Sequence, residues 1–161
     1  MDLVIDGYNL MGSEQGLSGA LERKRLWLIQ QLSRYQKRKG FNVTIVFDGW
    51  RSGSVREAVE RRDGVVVVYS RLGEKADAVI VRIARSKGGG CVVVTSDREI
   101  RGAVEKFDAV AVSAGEFNRI LRELDGVDGD WDDACGEGQA GRGRLSKAER
   151  RRSEKLKKLR L

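Results

Sequence analysis

The 161-residue chain contains no histidine, no proline and only two cysteines. Because histidine is absent, Ser-His-Asp and Cys-His catalysis, histidine acid–base ribonuclease chemistry and histidine-containing zinc sites are excluded. Any catalysis has to use carboxylates, amides, hydroxyls, lysine, arginine or a hard metal ion with oxygen ligands. Without proline, the turns depend on the 20 glycines of the chain.

Long apolar runs and an amino-terminal leader pattern are also missing. No run approaches the roughly 20 apolar residues that a membrane helix needs, and the first residues already form a predicted strand, which argues against a signal peptide. Cys91 starts an apolar run and Cys135 lies in an acidic glycine-rich segment, so a disulfide between them is not expected. We expect a reduced, cytoplasmic protein without a membrane segment.

The first 124 residues alternate short apolar runs with amphipathic segments, which is the pattern of repeated βα units. The runs are rich in valine and isoleucine and lack polar alternation, as expected for parallel strands covered on both faces. The predicted strands are 2–6, 42–47, 64–69, 91–95 and 108–112. The predicted helices are 18–39, 76–87, 98–107 and 114–124, with a short helix around 54–62. Together they predict an α/β domain with a mainly parallel sheet of about five strands.

The charge of the chain changes abruptly after this region. Residues 125–138 contain six acidic residues and no basic one, whereas residues 139–161 contain ten basic and two acidic residues. Ser146 and Glu149 have the spacing of a capping box, which predicts a short basic helix. We therefore divide the chain into a domain (1–124), an acidic, glycine-rich flexible linker (125–143) and a basic tail (144–161).

Four aspartates follow predicted strands or begin the helix after one. Asp6 ends the first strand, Asp48 follows the second, Asp97 follows the fourth, and Asp77 lies in the first turn of the 76–87 helix. Because the carboxyl ends of parallel strands form the ligand crevice of an open α/β sheet, these carboxylates are expected to lie together. Clustered carboxylates repel one another unless a cation or shared protons compensate. The pattern predicts a divalent-metal site, although each aspartate alone also fits a turn or a helix cap.

Other α/β chemistries fit the chain less well. A dinucleotide-binding fold needs Gly-x-Gly-x-x-Gly after its first strand, whereas the glycines at 88–90 precede a strand. An Asp-x-Asp phosphotransferase is disfavoured because Tyr8 occupies the second aspartate position. A phosphate-receiver domain would carry a lysine after the last strand, where this chain has Val112-Ser113-Ala114.

Four short motifs occur in order along the chain: Asp6-Gly7-Tyr8-Asn9-Leu10, Val46-Phe47-Asp48-Gly49, Gly73-Glu74-Lys75-Ala76-Asp77 and Val94-Thr95-Ser96-Asp97. Over residues 1 to about 124, they make the chain resemble the YacP-like NYN domains, a branch of the PIN-like nucleases. The resemblance implies a PIN-like three-layer α/β/α sandwich and a metal-dependent endoribonuclease, with messenger RNA at the ribosome as its expected target.

The resemblance also implies roles for individual residues. Asp6, Asp77 and Asp97 are the expected catalytic residues and ligands of Mg²⁺ or Mn²⁺, and Asp48 is a further candidate ligand. Supporting roles are expected for Asn9, Ser96 and Glu74. The expected product ends are a 5′-phosphate and a 3′-hydroxyl.

Single-stranded RNA is the expected partner, and basic residues outside the aspartate cluster are candidates for binding it. Tyr8 and Trp50 are candidates for stacking on bases, with packing in the core or a turn as the alternative. The expected RNA-binding residues are Arg51, Arg56, Arg71, Arg98, Arg150, Arg151, Arg152 and Lys155. The resemblance does not extend to the linker and tail, and the oligomeric state is left open.

Two alternative functions are compatible with the sequence. In a noncatalytic RNA- or ribosome-binding protein, the aspartates would only cap helices and the basic tail would bind RNA. The presence of all four motif acids favours an enzyme over this alternative. A PIN-type toxin ribonuclease would carry the same chemistry, and a neighbouring antitoxin gene would distinguish it.

Overall fold

A computed structural model describes residues 1–15, 21–49, 55–124, 126 and 146–160. Its strands are β1 (Asp2–Asp6), β2 (Asn42–Phe47), β3 (Ala58–Arg62), β4 (Val65–Tyr69), β5 (Cys91–Val94) and β6 (Val110–Val112). Its helices are α1 (Gly7–Gln15), α2 (Leu21–Lys39), α3 (Ala76–Lys87), α4 (Arg98–Glu105), α5 (Ala114–Leu124) and α6 (Lys147–Leu159). A 3-10 turn at Gly88–Gly90 connects α3 to β5.

The six strands form one sheet in the order β3-β4-β2-β1-β5-β6. The central strand β1 pairs in parallel with β2 on one side and with β5 on the other. β2 and β4 are also parallel, as are β5 and β6, whereas β3 is antiparallel to β4. The parallel strands β4, β2, β1 and β5 therefore end side by side, and we call this side of the sheet the carboxyl edge.

Helices cover both faces of the sheet and form two cores. The larger core lies on the side of α1, α2 and α5 and includes Leu32, Phe117 and Ile5. The smaller core lies on the side of α3 and α4 and includes Ile80 and Val104. This is the predicted α/β/α sandwich with a mainly parallel sheet. Within the described ranges, no helix has both the length and the apolar character that crossing a membrane requires.

The helix predicted around 54–62 is wrong, because residues Ala58–Arg62 form β3 and the sheet has six strands instead of about five. β3 is joined to β4 by Asp63 and Gly64, whose φ angles are 49° and 88°. Positive φ at both central residues is typical of a type I′ hairpin turn, for which Asp-Gly is a favoured sequence. The strand lies at the sheet edge and most of its residues are exposed, so it lacks the apolar run that marked the other strands.

A short helix also replaces the turn expected after β1. α1 starts at Gly7, directly after the strand, although it contains two glycines, which are poor helix formers. Leu10 and Met11 are buried in the larger core and account for the helix through tertiary packing. The remaining predicted elements agree with the structure to within about two residues at their described ends, which is the usual uncertainty of helix and strand limits.

The basic tail contributes α6, which has the capping box expected from the sequence. The Ser146 hydroxyl accepts from the Glu149 N–H at 3.2 Å, and the Glu149 carboxylate accepts from the Ser146 N–H at 2.7 Å. At the other end of the helix, Leu159 is fully buried in the larger core. Its carbonyl accepts a hydrogen bond from the Tyr35 hydroxyl at 2.8 Å. The tail helix is thus packed against the body of the protein.

Candidate functional site

The carboxyl edge brings together side chains from four separate parts of the chain. Asp6 is the last residue of β1, and Asp48 directly follows β2. Asp97 follows β5 and is the N-cap of α4, and Asp77 is the second residue of α3. Each of the four carboxylates interacts electrostatically with at least one of the others. The structure therefore places them in one region, as their positions after strands suggested.

Asp6 is the most buried of the four, with 8% of its surface exposed. Its carboxylate accepts hydrogen bonds from the Asn9 N–H at 3.4 Å and from the Thr95 hydroxyl at 3.2 Å. Burial raises the pKa of Asp6 from 3.8 to about 6, the two hydrogen bonds lower it, and the neighbouring Asp77 and Asp48 raise it further. Asp6 is therefore a carboxylate whose charge is poorly compensated by the protein itself.

Asp77 also has a raised pKa, in a more exposed position. Burial raises its pKa, and the nearby carboxylates of Asp97 and Asp48 raise it further, while Lys75 acts in the opposite direction. An acidic residue in the first turn of a helix is favoured by the helix dipole. Since the neighbouring carboxylates oppose this benefit, capping alone does not account for the local concentration of negative charge.

Thr95 links two of the aspartates and was not singled out as a site residue from the sequence. It is fully buried; its hydroxyl donates to the Asp6 carboxylate at 3.2 Å and accepts from the Asp97 N–H at 3.1 Å. Asp97 in turn accepts from the backbone N–H groups of Glu99 at 2.8 Å and Ile100 at 3.4 Å. Thr95 therefore fixes the start of α4 relative to the end of β1. Its position directly before Ser96-Asp97 was the available sequence signal.

Asn9 and Ser96 connect the same two strand ends. The Asn9 side-chain oxygen accepts a hydrogen bond from the Ser96 N–H at 2.9 Å. The Ser96 hydroxyl accepts from the Ala114 N–H at 3.1 Å, at the start of α5. These contacts are made within the protein, so both residues position the loops that carry Asp6 and Asp97.

Asp48 holds the start of α3. Its carboxylate accepts from the Ala76 N–H at 2.6 Å, while the N-cap residue of this helix, Lys75, makes no side-chain capping bond. The Asp48 carboxylate thus satisfies one of the amide groups that are unpaired at a helix start. Since Asp77 is the next residue after Ala76, Asp48 also fixes the position of Asp77.

Ser70, directly after β4, and Gly49, directly after Asp48, support this arrangement. The sequence interpretation missed Ser70 and included Gly49 only as part of a motif. Ser70 is fully buried; its hydroxyl accepts from the Gly49 N–H at 3.0 Å and donates to the Glu74 carbonyl at 2.7 Å. A β-carbon at position 49 would lie 1.5 Å from the Ser70 carbonyl oxygen, so the Asp48-Gly49 motif needs glycine for close packing. Gly7 has a related role, since a β-carbon there would lie 2.3 Å from the Phe47 ring.

Glu74 is engaged with arginines. Its carboxylate lies 3.0 Å from the Arg82 guanidinium and 3.5 Å from that of Arg71. Arg82 also forms an ion pair with Glu57. The negative charge of Glu74 is thereby compensated within the protein, in contrast to that of Asp6, and Glu74 is the expected site residue least suited to hold a cation.

The candidate RNA-binding residues fall into different environments. Arg51 and Trp50 lie outside the described residues. Arg98 is exposed at the start of α4, beside the aspartates, and the Arg71 side chain is 67% exposed. Tyr8 is partly buried, and its ring centre lies 5.2 Å from that of Phe47 in an edge-on arrangement. This is the core packing that was the alternative to stacking on a base.

The tail residues that are expected to bind RNA also differ in their exposure and in their ion pairs. Arg151 pairs with Asp108, and Arg152 makes two hydrogen bonds with the Glu116 carboxylate at 2.7 and 2.9 Å. These contacts attach α6 to the body of the protein. Arg150 is exposed and Lys155 is half-buried, while Arg56, beside the β3 edge, is also exposed.

The chemical character of the carboxyl edge fits a hard divalent cation. Carboxylate oxygens are the preferred ligands of Mg²⁺ and similar ions. A cation would compensate the negative charges of Asp6 and Asp77, whose pKa values are raised first by burial and then by the neighbouring carboxylates. Among the described residues, no three acidic side chains stand close enough as they are to share one ion. The fit therefore rests on the donor set and its electrostatics.

Comparison with known proteins identifies the same family over a longer part of the chain. The model of the YacP-like NYN domain family matches residues 3–160, so the match extends beyond residue 124 and includes the tail helix. A similar curated protein is "Uncharacterized protein YacP" of Bacillus subtilis (strain 168). It is 29% identical over 133 residues, which cover 78% of this chain and 76% of the relative.

Solved structures of a YacP protein are also similar to this chain. A crystal structure of Rae1 (YacP) from Bacillus subtilis is 26% identical, with a TM-score of 0.65, and the match covers 78% of this chain and 75% of that one. A mutant of the same protein matches with 27% identity and the same TM-score, over 77% of this chain and 76% of that one. The fold is therefore PIN-like.

Proposed function

Because the chain belongs to the YacP-like NYN domain family, within the PIN-like nucleases, we propose that it is a metal-dependent endoribonuclease that hydrolyses phosphodiester bonds in single-stranded RNA. The family membership by itself indicates a ribonuclease that acts on RNA. The metal dependence, the internal position of cleavage and the roles of individual residues are our proposal.

The observation that supports this proposal most is the uncompensated negative charge at the carboxyl edge. Asp6 is buried beside Asp77 and Asp48, and its pKa is raised to about 6. Asp77 is in turn affected by Asp97. Retaining mutually repelling carboxylates lowers the stability of the empty protein, and a cation-binding function accounts for their presence. Helix capping accounts for Asp97 and Asp48. Asp6 also accepts from the Asn9 N–H at the start of α1, but this bond does not offset the burial that raises its pKa.

In the proposed mechanism, Asp6, Asp77 and Asp97 hold one or two Mg²⁺ or Mn²⁺ ions. When bound, a divalent cation supplies the Lewis-acid chemistry for attack of water on the phosphodiester. Thr95 orients the Asp6 carboxylate through its hydroxyl and Asp97 through its main-chain contact. Arg98 is placed to attract the phosphate backbone. Hydrolysis breaks the bond between phosphorus and the 3′ oxygen, leaving a 3′-hydroxyl and a 5′-phosphate.

The wider setting of the activity is also a proposal. We infer messenger RNA, with the ribosome as the place of cleavage, from the family resemblance and the basic character of the chain. We also retain the division into a nuclease domain (1–124), a linker (125–143) and a basic tail (144–161), and a cytoplasmic location.

A cleavage assay on a labelled single-stranded RNA tests the proposed function. With Mn²⁺ or Mg²⁺ present, the protein is expected to produce internal fragments that carry 5′-phosphates, and chelation of the metal with EDTA is expected to stop the reaction. Activity that persists in EDTA, or products with 2′,3′-cyclic phosphates, would contradict the metal mechanism. RNA binding without any cleavage would favour the noncatalytic alternative.

Asp48 is expected to act by positioning Asp77. The Asp48→Asn variant keeps a side-chain oxygen for the Ala76 N–H, so its cleavage rate should remain within about tenfold of the wild-type rate. Asp48→Ala removes the acceptor and should lower the free energy of unfolding by about 1 kcal/mol. Urea unfolding and cleavage rates measured on both variants check this prediction. If Asp48→Asn is as inactive as Asp77→Asn, Asp48 is itself a metal ligand.

A further inference from the structure

Positive charge is concentrated in two helices. α2 contains seven basic residues and one acidic residue, and α6 contains seven basic and two acidic residues. Together they carry a net charge of +11, whereas the whole chain carries +7, so the rest of the chain carries −4. α3 and α4, on the other face of the sheet, contain five basic and three acidic residues, a net charge of +2.

The carboxyl-terminal ends of the two basic helices meet beside the larger core. Leu159 of α6 is buried in the core that α2 also lines. The Tyr35 hydroxyl donates to the Leu159 carbonyl at 2.8 Å, and the Lys39 ammonium donates to the Arg160 carbonyl at 2.6 Å. The basic residues at the ends of the two helices are therefore close to one another.

The solvent side of α2 carries a stripe at helical spacing. Arg23, Trp27, Gln30, Arg34 and Arg38 follow one another at intervals of three or four residues, and all are exposed. Trp27 is 47% exposed, although it is a large aromatic residue. We define the basic face as the exposed residues Arg23, Trp27, Arg34, Lys37 and Arg38 of α2, with Lys157, Lys158 and Arg160 at the end of α6.

Helix stability does not account for this charge. Lysine and arginine near a helix carboxyl terminus are favoured by the helix dipole, which fits Lys37 and Lys157, but basic residues near the amino terminus are disfavoured. Arg23 lies in the first turn of α2, and Lys147 is the first residue of α6. These positions carry positive charge against the local preference of the helix, so helix stability does not explain their charge.

Internal ion pairs explain a different set of basic residues. Arg25 pairs with Glu22 at 2.8 Å, Arg152 pairs with Glu116 at 2.7 Å, and Arg151 pairs with Asp108. None of these three arginines belongs to the basic face. These ion-paired arginines attach helices to the rest of the protein, whereas the basic face consists of exposed residues, of which Arg34 also donates to the Gln31 side chain at 3.3 Å.

We propose that the basic face binds the phosphate backbone of RNA along a surface that extends away from the carboxyl edge, with Trp27 stacking on an unpaired base. This proposal rests on the proposed function, because it assumes that RNA is the natural partner. At 1.5 Å per residue, the 19 residues of α2 span about 28 Å. The face is therefore long enough to contact several successive phosphates.

α2 runs from the carboxyl edge, where cleavage is proposed, to the opposite end of the strands. Near its start, the Arg25 guanidinium lies 5.9 Å from the ring centres of Phe47 and Tyr69, the last residues of β2 and β4 at the carboxyl edge. At its end, Lys39 lies shortly before the first residue of β2, and therefore at the end of the strands opposite to the carboxyl edge. The basic face thus begins near the carboxyl edge and extends to the opposite end of the strands. RNA bound at its far end, near Lys37, Arg38 and the end of α6, is held by a segment distinct from the one that is cleaved, and longer RNAs should bind more tightly than short ones.

Fluorescence anisotropy with a labelled 30-nucleotide stem-loop RNA in EDTA tests the proposal, because cleavage does not contribute there. The variant carries Lys37→Gln, Arg38→Gln, Lys157→Gln and Lys158→Gln. It should bind at least about tenfold more weakly at 100 mM salt, and the slope of log affinity against log salt should become shallower by about 3. Trp27→Ala should weaken binding of the same RNA by about fivefold or more without changing this slope.

The matched control removes four charges from the α3 and α4 side, with Arg85→Gln, Lys87→Gln, Arg101→Gln and Lys106→Gln. It should retain affinity to within about threefold, and thermal unfolding should confirm that both variants are folded. Equal losses in the two variants, or no loss in the first, would overturn the proposal. Preferential binding to phosphatidylserine vesicles, with no binding to RNA, would also overturn it and favour a membrane partner.

Cleavage of a six-nucleotide RNA separates this inference from the proposed function. Such a short RNA should fit at the carboxyl edge alone, so the four-residue α2–α6 variant should cleave it at saturation within about twofold of the wild-type rate. A much lower rate would place the basic face within the reaction site and overturn its separate role. If the wild-type protein cleaves no RNA while anisotropy still shows the expected losses, the proposed function fails and the RNA surface stands.

Discussion

Asp77→Asn and Asp97→Asn are each expected to lower the rate of RNA cleavage by at least about 100- to 1000-fold, the range seen when one preorganised electrostatic contact to a reacting group is removed. RNA affinity should stay the same or increase slightly, because each change removes a negative charge near the phosphate backbone. Single-turnover cleavage and anisotropy, measured on the same preparations, separate the two effects.

Asparagine is the informative replacement at these positions. At Asp97 it caps a helix about as well as aspartate does, so the bond to the Glu99 N–H and the start of α4 should be preserved. A loss of activity then reports the missing charge. Asp63→Asn provides the control, since this exposed residue of the β3–β4 turn has a φ of 49°, which asparagine tolerates. Wild-type cleavage rates in both site variants would remove these carboxylates from the mechanism.

Asp6→Asn is expected to make the metal-free protein more stable at pH 8 while abolishing cleavage. Burial and neighbouring carboxylates raise the pKa of Asp6 to about 6 in the folded protein, from an ordinary value of 3.8. The difference corresponds to about 3 kcal/mol, which is the largest gain that removal of this charge can give. Rearrangement of the hydrogen bonds from Asn9 and Thr95 will reduce it, so a gain of about 1 to 3 kcal/mol is expected.

The sign of the pH dependence follows from proton binding. Between pH 3.8 and about 6, folded Asp6 binds more protons than unfolded Asp6, so this residue makes the folded protein less stable as the pH rises through that range. Above about pH 6, Asp6 is ionised in both the folded and the unfolded protein, and its charge lowers the free energy of unfolding by the full amount. The stability advantage of Asp6→Asn over wild type should therefore grow between pH 4 and 6 and then level off. Urea unfolding in EDTA at a series of pH values measures it.

Addition of Mn²⁺ should reverse the order of stability. An ion that binds the folded wild-type protein raises its unfolding midpoint, whereas Asp6→Asn should respond much less because it lacks one ligand. Asp63→Asn should behave like wild type under all conditions. A wild-type protein that is more stable than Asp6→Asn at pH 8 in EDTA would contradict the assigned cost of the Asp6 charge.

Much of the fold was predictable because the buried strands leave a direct pattern in the sequence. Strands such as Val65–Tyr69 and Cys91–Val94 are nearly continuous apolar runs, as expected between two helical layers. β3 was not recognised because it lies at the edge of the sheet and most of its residues are exposed. Its signal was the Asp63-Gly64 pair, which favours a hairpin turn over a helix.

The positions of the site aspartates were predictable for a similar reason. Parallel topology determines that residues following β1, β2 and β5 lie at one edge, so Asp6, Asp48 and Asp97 could be placed together before any coordinates. The hydrogen bonds that each aspartate makes depend on contacts between residues that are distant in the sequence. The bond between Asp48 and the Ala76 N–H has no local sequence signature. The position of Thr95 before Ser96-Asp97 is a local signal, but it does not show that the Thr95 hydroxyl reaches Asp6.

The tail was the part least predictable from its own sequence. Its charge suggested an independent RNA-binding appendage, and a short basic helix is marginal by itself in water. The structure shows that Leu159 is fully buried and that Arg152 is paired with Glu116. These contacts join segments more than 35 residues apart in the chain, and charge composition carries no information about such pairings.

The central claim is that the carboxyl edge holds a divalent cation through Asp6, Asp77 and Asp97. The most direct measurement is anomalous X-ray diffraction from crystals of the protein soaked in Mn²⁺, recorded at the manganese absorption edge. The account predicts an anomalous peak among these three carboxylates in the wild-type protein and its loss in Asp77→Asn. No peak there at about 10 millimolar Mn²⁺, roughly tenfold above the dissociation constants of the weakest protein Ca²⁺ sites, or an equal peak in Asp77→Asn, would contradict it.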